Sequence, residues 1–244
     1  MPDDQKNVTR RTFMKASGAL GAAVIGAGTL AAVASPSATG TAIADSGIAA
    51  DQMAFLFDSD ACISCQTCVA ACKTKNGVDK SYRNVYRYSG KSESGPYAYS
   101  ISMGCCFCID PACIKVCPTH AMHRTEEFGF VDVDASKCIG CGYCDMACPY
   151  NVPRVDKEKG HSVKCNGCPD LVSQGELPAC AAACPAEALF FGTAAEMAEK
   201  GARANIAPLP SVSYTAPNLF IVESENTLPS SDTSGEATNL SEGM

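Results

Sequence analysis

Cys138-Ile139-Gly140-Cys141-Gly142-Tyr143-Cys144-Asp145-Met146-Ala147-Cys148-Pro149 is a C-x2-C-x2-C-x3-C run closed by a proline. The chain repeats the pattern three more times around it. Cys62, Cys65, Cys68 and Cys72 keep the same spacing. Cys105, Cys108, Cys113 and Cys117 open the second gap to four residues, and Cys165, Cys168, Cys180 and Cys184 open it to eleven. Sixteen of the 17 cysteines fall in these four groups, and Pro118 and Pro185 close groups two and four as Pro149 closes group three.

This is the ligand pattern of bacterial ferredoxins, where three thiolates hold one cubane and the fourth ligates the other cluster of a pair. Two residues between ligands force a tight loop whose backbone N–H groups can face the sulfurs as an anion-binding nest. Glycines suit such loops, and Gly140, Gly142 and Gly167 lie in them. Zinc usually takes two C-x2-C pairs on a longer linker, whereas groups one and three each hold four cysteines within eleven residues. A secreted disulfide framework fits poorly with the repeated spacing and the odd cysteine total.

If fourth cysteines exchange between clusters, the groups must pair. Groups two and three form one compact unit, and groups one and four pair across it. The expected ligand sets are Cys62, Cys65, Cys68 and Cys184 for the first cluster, and Cys72, Cys165, Cys168 and Cys180 for the second. Cys105, Cys108, Cys113 and Cys148 hold the third, and Cys117, Cys138, Cys141 and Cys144 the fourth. The cofactors are then four [4Fe-4S] clusters, with iron as the only metal. The fold class is α+β, with two nested ferredoxin-like dicluster units, short β-hairpins and helices, and an extended C-terminal arm. Its segments are an export signal at 1–44, an outer unit at 52–94 and 156–203, an inserted unit at 95–155, and a tail at 204–244.

Thr9-Arg10-Arg11-Thr12-Phe13-Met14-Lys15 is a twin-arginine motif, and the uncharged stretch Ser17 to Ala34 is rich in Gly and Ala. Its mild hydrophobicity suits an export signal better than a spanning anchor, which needs about 20 strongly apolar residues. Ala-x-Ala sites end at Ala34 and at Ala44, and Pro36 beside the first favours Ala44. Twin-arginine export moves folded proteins, so clusters can be inserted before the chain meets an oxidising compartment. The mature protein is expected in the periplasm or on the outer face of the cytoplasmic membrane, peripheral and without a span of its own. The chain of 244 residues carries a net charge of −7. Residues 1–44 hold Lys6, Arg10, Arg11 and Lys15 against Asp3 and Asp4, which leaves the remainder at −9. No basic patch stands out, which excludes nucleic acid as an expected partner.

Met53 to Asp58, Arg83 to Tyr88, Tyr97 to Met103, Phe128 to Val133 and Ala188 to Phe191 read as strands, with a turn at Ser94-Gly95-Pro96. Thr193 to Arg203 reads as a helix with Thr193 as N-cap. From Ala204 the composition shifts to Pro, Ser, Thr, Asn and acidic residues, and the prolines oppose regular structure. Phe220-Ile221-Val222 favours an extended arm laid on a partner over a disordered tail.

From about residue 55 to 240 the chain resembles the iron–sulfur subunit of the dimethyl sulfoxide reductase family. The matching stretches are Asp110-Pro111-Ala112-Cys113, Lys115-Val116-Cys117-Pro118, Ala121-Met122-His123, Cys138-Ile139-Gly140-Cys141 and Met146-Ala147-Cys148-Pro149-Tyr150, with Gly160-His161, Lys164-Cys165 and Pro208-Leu209-Pro210. The resemblance implies a non-catalytic subunit relaying electrons between a membrane subunit that handles quinol and a molybdopterin subunit that carries out the chemistry. In related nitrate reductase subunits one group-three cysteine is replaced and a three-iron cluster results; here all four are present. In the family the export signal usually sits on the molybdopterin subunit, whereas here it is on this chain. The alternatives are the iron–sulfur subunit of a membrane hydrogenase or formate dehydrogenase, which often ends in a membrane helix, and, from another class, a zinc-stabilised interaction module.

Cys106, adjacent to Cys105, would break the x2 spacing as a ligand and reads as a buried thiol behind the site. His120, His123 and His161 are expected in structural or surface roles, because each site already has four thiolates. Lys137 and Lys164 precede cysteines, where their charge either raises a cluster's potential or is simply solvated. The Gly-Ala-Ala-Val-Ile-Gly-Ala-Gly stretch from Gly21 belongs to the export signal and is not a nucleotide loop. No catalytic Ser/His/Asp or Cys/His constellation is present.

Overall fold

The computed structural model describes residues 51–92 and 95–242. The export signal, its cleavage sites and Ser94 lie outside the described residues. The expected first strand is found with its bounds unchanged as β1, Met53–Asp58, whose Ala54, Phe55, Leu56 and Phe57 are all buried. A central strand buried on both faces reads as such a continuous apolar run. It sits inside a sheet with β8 (Leu189–Thr193) antiparallel on one side and β10 (Leu219–Val222) parallel on the other. The short β9 (Ala202–Arg203) closes the β10 edge.

The second sheet is the hairpin β2 (Asn84–Ser92) and β3 (Gly95–Met103), with β11 (Glu236–Asn239) beside β2. The expected turn came too late in the sequence. Gly95 and Pro96 are strand residues paired with Ser92 and Lys91, and Pro96 is tolerated because β3 is an edge strand. Two small hairpins follow, β4 (Met122–Arg124) with β5 (Val131–Val133), and β6 (Arg154–Asp156) with β7 (His161–Val163). The run from Phe128 is a strand only from Val131. Gly129, at φ +68°, donates its N–H to the Thr125 carbonyl at 3.2 Å and closes a turn there.

Short helices carry or follow the cysteines. They are α1 (Thr67–Asn76), α2 (Ala112–Lys115), α3 (Tyr143–Ala147), α4 (Pro169–Val172) and α5 (Ala179–Ala182). Helix α1 packs on α5, and α2 on α3. Group one therefore meets group four, and group two meets group three. A 2.7 Å ion pair from Lys75 of α1 to Asp170 of α4 adds to the first contact.

Thr193 caps the remaining helix, α6 (Ala194–Lys200), through a complete capping box with Glu196. The helix is shorter than its propensity suggests. A Cβ at Gly201 would lie 2.5 Å from the Ile221 carbonyl, so glycine lets the backbone turn into β9 hard against β10.

The C-terminal segment is extended, but the surface it lies on is its own chain, not a partner. Phe220 and Ile221 are 3% and 1% exposed within the first sheet. Tyrosine hydroxyls from the β2–β3 hairpin hold the rest. Tyr99 donates to the Ala207 carbonyl at 2.6 Å, and Tyr88 donates to Asp232 at 3.1 Å while accepting the Gly235 N–H at 2.9 Å. Tyr97 pairs with Ser234 at 2.9 Å. Burial pushes the Tyr99 phenol up to about 12, so it stays a donor. Tyr99→Phe should leave the Ala207 carbonyl without its partner and cost about 1–3 kcal/mol. Denaturant unfolding should record the loss, and proteolysis between residues 205 and 235 should quicken while iron content stays unchanged.

Candidate iron–sulfur sites

One backbone feature recurs in all four cysteine groups. The residue just before the second cysteine is left-handed: Ser64 at φ 58°, Phe107 at 43°, Gly140 at 67° and Gly167 at 85°. Groups one and three share a second such position, Gln66 at 62° and Gly142 at 77°. Only three of the six are glycine, so Ser64, Gln66 and Phe107 carry strain that the surrounding structure must hold. Composition alone identified the glycines and missed the other three.

The fold does not keep each group together. Cys72 lines a cavity with Cys165, Cys168 and Cys180, away from its sequence neighbours. Cys117 lines another with Cys138, Cys141 and Cys144. Cys62 faces Cys68, Cys184 and Cys65 closely enough for their charges to act on it, and Cys108 likewise faces Cys105, Cys148 and Cys113. Each set draws three sulfurs from one group and one from another. The second and third sets lie close enough for Cys165 to act on Cys105 through its charge, and the third and fourth likewise for Cys144 to act on Cys113.

Among the described residues, no three His, Cys, Asp or Glu converge tightly enough to hold a single metal ion. In two of the sets the sulfurs line a cavity. That arrangement fits a cubane, whose iron corners stand apart.

Burial pushes the thiols of Cys108, Cys113 and Cys180 up to about 12, and neighbouring cysteines add to it. Such groups ligate only by releasing protons, so occupancy must supply the free energy for it. Donors facing the sulfurs offset part of the cost. The N–H of Ser162 reaches Cys138 Sγ at 3.3 Å and that of Met122 reaches Cys117 Sγ at 3.4 Å. Cys68 and Cys144, the third cysteines of equivalent groups, each face a buried serine hydroxyl, Ser102 at 3.3 Å and Ser162 at 3.4 Å.

The two lysines separate cleanly. Lys137 is exposed and paired with Asp134 at 2.8 Å. Lys164 is 5% exposed, donates to the carbonyls of Val131 and Cys165, and lies 5.6 Å from the Phe107 ring. Burial would lower its pKa, but the sulfurs of Cys105 and Cys165 prevail and hold it above the ordinary value. Cys106 is 2% exposed, its thiol raised well above the usual range by burial. It occupies the place of Ile63 and Ile139 in groups one and three. His120 and His123 are exposed and His161 is partly exposed. Arg83 is fully buried beside the cavity of Cys72 and was not singled out from sequence, because nothing in its local pattern sets it apart.

Residues 97–194 match the family model of the 4Fe-4S dicluster domain. The B subunit of the anaerobic dimethyl sulfoxide reductase of Escherichia coli (strain K12) is 44% identical over 202 residues, covering 78% of this chain and 98% of the relative. This protein belongs to that family of iron–sulfur subunits. The corresponding B subunit of Haemophilus influenzae is 44% identical over 197 residues, 76% of this chain and 96% of the relative. The iron-sulfur subunit of the nitrate-inducible formate dehydrogenase of Escherichia coli (strain K12) is 37% identical over 166 residues, 61% and 56% of the two sequences. Membership makes multiple [4Fe-4S] clusters the cofactors and electron transfer, not catalysis, the role of this subunit.

The left-handed turns make a specific prediction. A Cβ at Gly140 would meet the Gly160 carbonyl at 2.7 Å, whereas Gly142 has nothing nearer than Val155 at 3.8 Å. Gly140→Ala should therefore lose bound iron under conditions where Gly142→Ala, facing only the left-handed penalty of about 1–2 kcal/mol, retains it. Iron quantification of the two purified variants checks the order.

Proposed function

We propose that this chain relays single electrons through four [4Fe-4S] clusters, between a quinol-linked membrane subunit and a molybdopterin catalytic subunit of a dimethyl sulfoxide reductase-like complex. The observation that carries it is the sorting of the cysteines into four sets, each completed by a cysteine from another group. The proposed ligands are Cys62, Cys65, Cys68 and Cys184; Cys72, Cys165, Cys168 and Cys180; Cys105, Cys108, Cys113 and Cys148; and Cys117, Cys138, Cys141 and Cys144. Two nested dicluster units follow, 95–155 inside 52–94 and 156–203. The clusters supply reversible one-electron chemistry when bound. The protein's own residues supply the dry surroundings, the N–H donors to sulfur, the serine hydroxyls beside it, and the buried charges that tune it.

Exposed apolar side chains support partner contacts beside the first and fourth cysteine sets. Ile63 in group one is 68% exposed, and Ile139, Tyr143 and Met146 in group three are 65%, 51% and 76% exposed. Such patches commonly mark interaction sites. They flank Cys65 and Cys141, which are themselves exposed. Among the described residues no helix is long and apolar enough to cross a membrane, which is consistent with a separate membrane subunit. The twin-arginine motif supports export to the periplasmic side.

Cys72→Ser tests the ligand sets. Its defect should fall on the cluster held by Cys165, Cys168 and Cys180, as assigned by electron paramagnetic resonance. A defect confined to the cluster of Cys62, Cys65 and Cys68 would refute the exchange. For export, the double substitution Arg10→Lys with Arg11→Lys should leave folded, iron-loaded protein in the cytoplasm. Fractionation that still finds the variant outside the membrane rules the route out.

A further inference from the structure

Arg83 is 1% exposed and has no carboxylate within ion-pair distance among the described residues. A guanidinium buried without an anion is expensive, so its surroundings must supply the opposite charge. Its Cζ lies over the Phe55 ring, 4.7 Å from the ring centre. Nη1 donates to the Ser102 carbonyl at 2.9 Å and to its Oγ at 3.1 Å. That hydroxyl lies 3.3 Å from Cys68 Sγ, so a single serine joins Arg83 to the first cysteine set. On its other side Arg83 lines the cavity of Cys72, Cys165, Cys168 and Cys180. A Cβ on Gly104 would approach Nη2 at 3.0 Å and Cys165 Sγ at 3.5 Å, so the missing side chain leaves room for cation and sulfur together. Nε is buried with no partner. Arg83 is a fixed positive charge between two sets of sulfurs.

We propose that Arg83 is a positioning residue shared by two neighbouring clusters, raising the reduction potentials of both above what the same cysteines alone would give. The inference rests on the ligand sets proposed above. Reduction adds negative charge to a cluster, and a nearby cation in a low-dielectric interior stabilises the reduced form more than the oxidised one. Because one charge serves two sites, both potentials move together when it is removed. Ser102 carries the effect toward Cys68 alone.

The test is mediated redox titration of anaerobically purified full-length protein, followed by electron paramagnetic resonance, with iron quantified in every sample. In Arg83→Met, iron should be retained and two of the four clusters should shift toward the oxidised form by at least tenfold, or 59 mV for a one-electron couple. Arg83→Lys should recover most of the shift. Ser102→Ala should lower only the potential of the cluster bound through Cys68, and it remains informative if Arg83→Met fails to load iron. Full iron with unmoved potentials in Arg83→Met or in Ser102→Ala overturns the inference alone. Wild-type protein lacking the cluster of Cys72, Cys165, Cys168 and Cys180 overturns the ligand reading, and this inference with it.

Discussion

Crowded, buried sulfur is the constraint on which the rest of this structure depends. Thiols brought together out of water resist ionisation, because burial and mutual repulsion act in the same direction. Cys105, Cys108, Cys113 and Cys180 all show it. A fold that presents them this way is stable in its working form only when iron and backbone donors share the charge. The left-handed residues before each second cysteine, the serines facing Cys68 and Cys144, and the buried Arg83 and Lys164 all answer that one problem.

The architecture between the cysteine sets follows from the same need. The loops give Phe107 and several buried cysteines to the core, and the sheets supply the rest. Phe55, Phe107, Phe130 and Phe191 pack against one another between the first sheet and the loops. Phe107 joins the two tasks, since it occupies a left-handed loop position and its ring lies 4.6 Å from that of Phe130. The C-terminal segment completes the sheet through β10 and lies along the β2–β3 hairpin, so it is part of the core and not an appendage.

Much of this was legible in the sequence because ligand spacing is a local property. The run from Cys138 to Pro149 carries its loop, its glycines and its following helix in a dozen residues, and Met53–Asp58 and the Thr193 cap are equally local. What escaped is what depends on distant partners. Ser64, Gln66 and Phe107 are held left-handed by surroundings that no propensity encodes. Arg83 has meaning only once Ser102 and the Cys72 cavity are brought to it. Phe220-Ile221-Val222 needs a surface to bury it, and that surface is not a partner but β1, more than 160 residues earlier.

Iron and acid-labile sulfide per polypeptide in anaerobically purified protein test the central claim most directly. Four complete thiolate sets predict about sixteen of each. An iron count below the sulfide count, accompanied by a dominant three-iron resonance in the oxidised sample, would contradict it.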